Sequence, residues 1–409
     1  MSAPVSLPET NGRFHEVLIH DAPAYLERFG SALPLRQQEV LQHLLRCRTP
    51  TLGGALFVCP ECGLHHFRYH SCNDRHCPRC GQADADPWLA RQSALLLPVD
   101  YFLVTFTVPE GLRGWMRSHP QLGYDALFAA SAQALQDLAA NPKRLGARLG
   151  MLGVLHTWSR TLIYHPHIHY LVPGGGLSLD GQEWIASRRG FLLRVEPLSD
   201  HCRTGFRQWL EREAPEALAQ IPAKVWKQRW VTHSQAAGSG EQVLRYLSRY
   251  VFKTATGNRA VPRLPDGRVR WPYRESAQGR WRSLVLSAEE LIRRFLQHVL
   301  PAGFHRVRRF GWWHPSAKAK REHLQGLLAG RSMESTDSPA LAPSVPEEDA
   351  DPFDELERAE TFVEAHTLPA AKATVPPPRC PQCDRPMVCV ARWHGGQPPV
   401  ESARAPPTS

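Results

Sequence analysis

Hydrophobic positions along the chain fall into helical and strand-like segments. Apolar residues recur at helical spacing in three of these segments, residues 13–48, 121–140 and 241–254. Shorter apolar runs rich in β-branched and aromatic residues predict strands at residues 101–109, 151–158 and 167–172. Ser287 followed by Glu290 is a capping-box pattern, which predicts that a further helix begins there.

Three histidines in the predicted strands form a candidate metal site. His167 and His169 flank Ile168, so in a strand both imidazoles point to one face, about 6–7 Å apart, and can hold one divalent ion. His165 lies on the same face but roughly twice that distance from His169, too far to share the ion. His156, on the preceding strand, is the best candidate for the third ligand. Alone, these histidines would be equally consistent with a polar sheet surface.

The helix at 241–254 joins an apolar face to two tyrosines. Tyr246 and Tyr250 lie one turn apart on the flank of that face, beside Arg249 and Lys253. Tyrosines at this spacing commonly edge a core, which is the alternative interpretation. Next to a metal site and cations, a phenol can instead attack a phosphodiester, because the positive charges offset those of the phosphate and the phenolate. The apolar face itself consists of Val243, Leu244, Leu247 and Val251.

The ten cysteines are expected to be reduced. The chain shows neither a signal-peptide pattern nor an apolar run that could span a membrane, so we expect a soluble, cytoplasmic protein. Cys59-x2-Cys62 and Cys77-x2-Cys80 predict one tetrahedral structural zinc site. Further donors that could replace a cysteine of this site or bind a second ion are Cys72, His65, His66, His70 and His76.

Charge is distributed unevenly along the chain. The formal net charge is +10, but residues 334–364 contain eleven acids and one arginine, a balance of −10, and residues 365–409 carry +3, so residues 1–333 carry +17. This excess indicates a polyanionic partner, most simply nucleic acid, with a solvated basic surface as the alternative. From Arg293 to Arg321 there are eight Lys/Arg and no acid, interleaved with aromatic residues, a combination typical of single-strand binders. The candidate DNA contacts are Arg249, Arg293, Arg294, Arg306, Arg308, Arg309, Trp312 and Trp313.

The last segments of the chain differ in composition. Residues 331–378 are rich in Ser, Pro, Ala and acids and predict a disordered linker. Beyond them, Cys380-x2-Cys383 with Cys389 and His394 is a candidate small zinc knuckle. The glycines at 174–176 belong to neither a GxGxxG nor a Walker motif, so no nucleotide cofactor is expected.

Taken together, the motifs resemble the rolling-circle HUH transposases of bacterial insertion sequences, in the subgroup with an N-terminal zinc-binding domain and two tyrosines. The resemblance rests on CPECG with CNDRHCPRCG, on LHTW followed by HPHIH and PGGG, on YLSRYVFKTATGNR, and on LSAEELIRRFLQHVLPAGFHRVRRFGW. It covers about Cys59 to Leu328. It implies an α+β fold, with a zinc-ribbon-like module followed by an antiparallel sheet that has helices packed on one side.

The domains expected on this basis follow the chain in order. They are a helical lead-in (1–50), a zinc-binding domain (51–98), a catalytic domain (99–330), the linker (331–378) and the tail (379–409).

The resemblance also implies an activity, single-strand DNA cleavage and strand transfer. His167 and His169 match the family's metal pair, and Tyr246 and Tyr250 match its two nucleophiles, with Lys253 as a further catalytic candidate. A tyrosine would attack DNA, form a 5′-phosphotyrosine bond and free a 3′-OH. The implied cofactors are structural Zn²⁺ and catalytic Mg²⁺ or Mn²⁺. The implied partner is single-stranded DNA at mobile-element ends and target sites, with no membrane partner.

Two other functions remain open from the sequence. A relaxase or replication initiator would use the same chemistry, although such proteins typically lack this zinc module. A noncatalytic zinc-ribbon protein that binds nucleic acid would use the histidines and tyrosines only structurally.

Overall fold

The computed structural model describes residues 12–80, 85–252, 257–275, 280–331 and 377–396, so residues 332–376 of the predicted linker lie outside the described part. Numbered along the chain, the helices of the described part are α1 (Phe14–Phe29), α2 (Leu35–Arg46), α3 (Ala85–Ser93), α4 (Glu110–Ser118), α5 (Pro120–Ala140), α6 (Val195–Glu213), α7 (Pro215–Ala219), α8 (Lys224–Lys227), α9 (Glu241–Phe252), α10 (Ala288–Leu296) and α11 (Lys318–Arg331). Its strands are β1 (Gly54–Val58), β2 (His65–Tyr69), β3 (Tyr101–Thr107), β4 (Ala147–Arg148), β5 (Met151–Trp158), β6 (Tyr164–Pro173), β7 (Gly175–Ser178), β8 (Trp184–Ala186), β9 (Val231–Ala236), β10 (Val269–Arg274), β11 (Trp281–Leu286), β12 (Val307–Phe310) and β13 (Val388–Trp393).

The predicted α+β class is confirmed, and each segment predicted from periodicity forms its element. The main difference in bounds is at β6, which begins at Tyr164 rather than at His167, because Tyr164 already pairs with Trp158 of β5. The predicted helix start at Ser287 is also present. The Ser287 hydroxyl accepts a hydrogen bond from the amide of Glu290 (3.1 Å), which caps α10.

One compact unit contains the described residues 12–80, 257–267 and 377–396. Helices α1 and α2 pack against each other, and β13, β1 and β2 form an antiparallel sheet in that order. The segment 257–267 attaches to α1, since the Phe14 amide donates to the Arg259 carbonyl oxygen (3.0 Å). The lead-in helices, the cysteine-rich segment and the tail thus belong to the same unit.

A second compact unit is built around a five-stranded antiparallel sheet in the order β12-β5-β6-β3-β9. One face of this sheet is covered by α4, α5 and α6. Val104, Ile168 and Tyr170 point into that layer and are fully buried. The Tyr170 hydroxyl and the Ser131 hydroxyl of α5 are hydrogen-bonded at 2.8 Å, so the one polar group of this tyrosine is satisfied inside the core.

The opposite face of the sheet is covered as well. Leu171 and Val154 point into a core that includes Leu244 and Leu247 of α9 and Trp313 of the 3₁₀ turn at 311–313. Helices α3 and α11 contribute side chains to the same core. The expectation of helices on one side only is therefore wrong. The physical reason is that every residue of β5 is buried, and a strand buried on both faces requires cover on both.

Among the described residues, no helix combines the length and the apolar character needed to cross a membrane.

Close packing between β5 and β6 depends on Gly153. This residue pairs directly with Tyr170, and an added Cβ would lie 2.6 Å from Cε1 of Tyr170 and 3.2 Å from Cε1 of Phe128. Only a residue without a side chain lets the tyrosine ring lie flat against the neighbouring strand. The position is therefore a test of how rigidly the two histidine-bearing strands are held together.

We expect Gly153→Ala to lower the free energy of unfolding by about 1–3 kcal/mol, because rings in a packed core must shift to accept the methyl group. Gly114→Ala is the matched control, since nothing lies within 4 Å of its added Cβ in α4. That variant should be neutral or gain about 0.5–1 kcal/mol from helix propensity. Denaturant unfolding of both variants checks the expectation, and equal stabilities would contradict it.

Candidate functional site

The three predicted histidines lie side by side on the face of the sheet that packs against α9. In the β5–β6 register His156 is directly opposite His167, and His169 is two residues further along the same face of β6. The ring centroids are 5.2 Å apart for His156 and His167, 4.5 Å for His156 and His169, and 4.8 Å for His167 and His169. One nitrogen from each ring lies within 4.8 Å of the others. His165 is outside this set.

Hydrogen bonds orient two of the three rings. Nδ1 of His167 lies 2.6 Å from the carbonyl oxygen of His165, which can only accept, so Nδ1 carries the proton. Nδ1 of His169 lies 2.8 Å from the hydroxyl of Thr105 on β3. Such partners fix ring orientation and leave Nε2 available as a ligand. Thr105 was not singled out from the sequence, because only the β3–β6 register places it opposite His169.

Burial keeps these imidazoles neutral. Burial is the largest cause that lowers the pKa of His167 to about 4, and it also lowers the pKa of His156 and of His169 well below their usual value. For His156 and His169 the neighbouring imidazoles add to this effect. Neutral imidazole is the form that binds a metal ion. The donor set, three neutral nitrogens converging on one point, therefore fits a divalent transition metal.

Helix α9 places Tyr246 next to the histidines. Its apolar face behaves as predicted, with Val243, Leu244 and Leu247 fully buried against the sheet. The Tyr246 ring centroid is 6.1 Å from that of His169, and the two rings are nearly perpendicular. Tyr250 lies one turn further along α9.

Three of the predicted residues on or after α9 fall at the limit of the described part. The backbones of Arg249 and Tyr250 belong to α9, but their side chains lie outside what the structure describes. Lys253 lies wholly outside the described residues. Their roles remain predictions.

Arg113 on α4 is a candidate that the sequence did not reveal. Its Nε is buried, and within the described residues no acceptor forms a hydrogen bond with it. Its positive charge is among the causes, after burial, that lower the pKa of His165 and His167, so the guanidinium lies within electrostatic range of these two histidines. A guanidinium in this position is suited to bind an anionic group.

The predicted base-stacking role of Trp312 and Trp313 is wrong. Both indoles are buried, at 3% and 0% exposure, and stack on each other with centroids 5.8 Å apart. Gly150 is needed for this packing, because a Cβ there would lie 2.2 Å from the Trp312 ring. The two tryptophans are core residues, and no face is available for a nucleotide base.

Two predicted DNA contacts at the start of β12, Arg306 just before the strand and Arg308 within it, also need correction. Arg306 is 4% exposed and lies over the ring of Trp158, with its guanidinium carbon 5.6 Å from the centroid. Arg308 forms an ion pair with Asp125. Both cations thus interact with side chains of the protein itself. A run of basic and aromatic residues in the sequence does not show which of its cations will have such partners.

Three other arginines predicted to contact DNA, Arg293, Arg294 and Arg309, also have hydrogen-bond partners within the protein. Nε of Arg309 lies 3.3 Å from the side-chain oxygen of Gln92. Arg293 and Arg294 both bind Glu290, at 2.6 Å and 2.7 Å, and Arg294 also donates to a backbone carbonyl. Arg293 has half of its side chain exposed and stays a candidate for contact with DNA.

The cysteines do not form the single zinc site predicted from the two CxxC pairs. Cys59 and Cys62 lie at one end of the β1–β2 hairpin, whereas Cys77 and Cys80 follow its other end. Five-residue strands span about 17 Å, so the two pairs cannot share an ion. The structure instead forms two separate clusters of four sulfurs each, Cys47, Cys72, Cys77 and Cys80 in the first, and Cys59, Cys62, Cys380 and Cys383 in the second.

The first cluster fits a tetrahedral zinc ion. Its sulfur–sulfur distances include 3.4 Å for Cys47 and Cys80, 3.6 Å for Cys47 and Cys77, and 3.7 Å for Cys72 and Cys80. Four sulfurs at about 2.3 Å from zinc lie about 3.8 Å from one another. Cys72 was among the surplus donors noted in the sequence. Cys47 was not, because a lone cysteine at the end of a helix carries no metal-site signal.

The described residues combine two kinds of candidate site that would suit a DNA-processing protein, three converging histidines beside a tyrosine and two clusters of four cysteines. Comparison with known families supports this assignment. Residues 17–108 match a family described as "Transposase zinc-binding domain", and residues 150–321 match one described as "Putative transposase".

Two curated proteins are similar over most of the chain. "Putative transposase y4qJ" of Sinorhizobium fredii (strain NBRC 101917 / NGR234) is 37% identical over 345 residues, covering 80% of this chain and 85% of that protein. "Transposase for insertion sequence element IS801" of Pseudomonas savastanoi pv. phaseolicola is 29% identical over 301 residues, covering 67% of this chain and 69% of that protein. No solved structure matches the chain. The chain belongs to the IS91-type transposases with an N-terminal zinc-binding domain.

We expect metal binding at the histidines to be insensitive to pH over a wide range. Because the pKa of His167 lies at about 4 and those of His156 and His169 are also lowered, protons compete with the ion only in acid. Three histidines with unperturbed pKa values near 6.5 would each be about ten-elevenths protonated at pH 5.5, which would weaken binding about 1000-fold.

Titration of the full chain with Mn²⁺, followed by electron paramagnetic resonance between pH 8 and pH 5.5, checks this expectation. The affinity should change by less than about threefold over that range. The His169→Ala variant identifies the signal that belongs to this site. A steep loss of affinity between pH 7 and pH 6 would contradict the buried, neutral state of the ligands.

Proposed function

We propose that the protein transposes DNA by single-strand cleavage and strand transfer, through 5′-phosphotyrosine intermediates in a rolling-circle mechanism. The observation that carries this proposal is the convergence of three neutral imidazoles, buried or half-buried, beside Tyr246. Membership in the IS91-type transposases makes DNA the expected substrate. The similarity to a transposase for an insertion sequence element supports element ends as the DNA that is cut.

In this proposal His156, His167 and His169 hold a divalent ion. Between the two expected ions, the donor set favours Mn²⁺, because Mg²⁺ prefers hard oxygen ligands and imidazole nitrogen suits transition metals. When bound, such an ion polarises a phosphodiester oxygen as a Lewis acid. Thr105 acts as a positioning residue, since its hydroxyl fixes the ring of His169.

The cleavage step uses a tyrosine hydroxyl as the nucleophile. A bond forms between the phenol oxygen and phosphorus, and the bond from phosphorus to the 3′ oxygen breaks. The phenol gives up its proton and the departing 3′ oxygen gains one, so the charge on the DNA is conserved. The product is a 5′-phosphotyrosine and a free 3′-OH, and attack of a 3′-OH on that bond reverses the step and joins strands.

Two tyrosines on one helix allow strand transfer. Tyr246 lies next to His169 in the structure, and the sequence spacing puts Tyr250 about 6 Å further along the same flank. One phenol can then hold a cleaved end while the other attacks a second strand. Lys253 is proposed to offset the charge of the phosphate or the departing phenolate, on the basis of its sequence position.

Binding of the single strand is assigned to three cations, Arg113, Arg293 and Arg249. Arg113 lies within electrostatic range of His165 and His167 and is proposed to contact a phosphate next to the scissile one. Arg293 and Arg249 remain candidates for contacts further along the strand. The tryptophans of 311–313 are excluded, so affinity should come mainly from phosphate contacts and fall with salt.

The histidine assignment predicts a loss of chemistry without a loss of binding. His169→Ala should reduce cleavage of a labelled single strand by about 100-fold or more, because the ion is worth several kcal/mol in the transition state. Binding of the strand, measured by fluorescence anisotropy, should stay within about threefold of wild type because cations supply most of the affinity.

His165→Ala is the matched control for this substitution. The residue lies on the same strand and face but outside the cluster. Alanine keeps the backbone carbonyl that binds Nδ1 of His167 and removes only a ring whose centroid lies 5.3 Å from that of His167. Near wild-type cleavage in His169→Ala, or an equal loss in His165→Ala, would argue against the assignment.

The tyrosine assignment predicts a mapped covalent adduct. After incubation with single-stranded DNA and Mn²⁺, mass spectrometry should find the DNA-linked peptide within residues 241–252. Tyr246→Phe and Tyr250→Phe should each retain part of the adduct, and the double variant should form none, because phenylalanine keeps the ring but removes the nucleophile.

Tyr273→Phe, on β10, serves as the control and should form adduct at the wild-type level. An adduct at Tyr164, Tyr170 or Tyr273 would overturn the site. If no adduct forms with any divalent ion, the noncatalytic binder becomes the better interpretation.

A further inference from the structure

The tail of the chain takes part in the zinc module. Residues 377–396 lie outside both family matches, which cover 17–108 and 150–321. Nevertheless β13 is an edge strand of the three-stranded sheet, pairing antiparallel with β1. The pairing extends from Gly54 opposite Trp393 to Val58 opposite Val388, so the whole of β1 is matched by the tail.

The first half of the second cysteine cluster is a tight turn between β1 and β2. The Cys59 amide donates to the carbonyl oxygen of Leu64 (2.9 Å), and the Gly63 amide donates to that of Cys59 (3.0 Å). Gly63 has a positive φ of 72°. Such a turn presents two sulfurs, those of Cys59 and Cys62, to one point.

The second half repeats this turn 321 residues later. The Cys380 amide donates to the carbonyl oxygen of Arg385 (2.8 Å), and the Asp384 amide donates to that of Cys380 (2.8 Å). Asp384 takes the positive φ, 55°, at the position equivalent to glycine in the first turn. The sequences also agree, CPEC in the first turn and CPQC in the second. Two knuckles of the same form therefore face each other.

The four sulfurs are spaced as ligands of one ion. Sγ of Cys59 lies 3.4 Å from that of Cys383, and Sγ of Cys62 lies 3.5 Å from that of Cys380 and 3.9 Å from that of Cys383. A zinc ion bound at about 2.3 Å requires separations of about 3.8 Å. A disulfide would require about 2.05 Å, so these are four thiols around a common centre.

The surrounding core is too small to hold the tail alone. Its buried members are Phe57, Met387 and two of the ligands, Cys59 and Cys380. An apolar cluster of this size leaves little to stabilise a docked segment, and small modules of this kind usually depend on their metal. The spacing of the four sulfurs and the small size of this core both indicate that docking of the tail requires a metal ion.

We propose that Cys59, Cys62, Cys380 and Cys383 bind a second structural zinc ion, which fastens the tail to the N-terminal module. This site is independent of the catalytic proposal and of the first cysteine cluster. The sequence of the tail suggested a self-contained zinc knuckle, but the structure shows that only two of the four ligands come from the tail. Cys389 contacts the carbonyl oxygen of Ala391 instead, and the ring of His394 stacks on that of His70 with centroids 5.7 Å apart.

Cobalt substitution tests the site in the full chain. Cobalt bound by thiolates absorbs through sulfur-to-metal charge transfer, so an ion at the three histidines does not contribute to this band. We expect eight thiolates to contribute in the wild type, and Cys380→Ser/Cys383→Ser should lower the band by about half because four of them no longer bind. Cys389→Ser, a thiol of the same tail outside the cluster, should leave the band unchanged. An unchanged band in the double variant would overturn the proposal.

A further variant distinguishes the loss of a metal ligand from general misfolding of the module. Cys383 is exposed, so Cys383→His can supply an imidazole ligand without disturbing a core. It should retain cobalt at the site, with a weaker charge-transfer band. If the double variant loses the charge-transfer band entirely, cobalt retained at the site in Cys383→His still supports the role of residue 383 as a ligand. If Cys383→His also loses the second ion, the proposal is overturned.

A separate experiment measures whether the zinc ion holds the tail on the N-terminal module. A protease site is inserted within residues 332–376 of the full chain, and the metal-loaded protein is cleaved there. The tail fragment should co-elute with the remainder of the chain in size-exclusion chromatography and separate after treatment with a chelator. Separation from the zinc-loaded protein would contradict the fastening role.

Discussion

The pairing register between β5 and β6 is the constraint on which the second compact unit depends. This unit, which carries the proposed catalytic site, is here called the catalytic unit. With His156 opposite His167, the same alternation that directs Ile168 and Tyr170 into the α4–α6 layer directs the histidines toward α9. A slip of one residue would exchange the two faces, placing imidazoles in the apolar α4–α6 layer and turning Ile168 and Tyr170 toward α9. One alternation pattern therefore specifies both the core and the candidate metal site, and Gly153 maintains the strand pairing by letting the Tyr170 ring lie flat.

Much of the catalytic unit could be predicted from local patterns. The helix and strand segments follow from periodicity, and the apolar side of α9 follows from the spacing of Val243, Leu244 and Leu247. His156 could be named because a strand with one histidine precedes a strand with two, and adjacent strands tend to pair. Thr105 could not be named, since its role depends on the register between β3 and β6, which no local pattern encodes.

The wrong predictions share one physical cause: residues distant in sequence come together in the fold, and the sequence does not show which ones will meet. Trp312 and Trp313 resemble a stacking surface until the fold buries them, and Arg308 looks free until Asp125 is brought beside it. The cysteines were paired by their proximity in sequence, whereas a hairpin of two five-residue strands separates the two CxxC turns. Cys62 instead meets Cys380, 318 residues away, a separation over which the sequence gives no guide to pairing.

The placement of the second cysteine cluster has a consequence for the order of biosynthesis. Its first two cysteines leave the ribosome early and its last two only near the end of translation, after the entire catalytic unit has been made. Domains generally fold as they emerge, so the catalytic unit can fold while the module that precedes it still lacks half of these ligands. A chain that ended before Cys380 would contain every histidine and tyrosine of the proposed catalytic site and still lack the strand that completes the sheet of its N-terminal module.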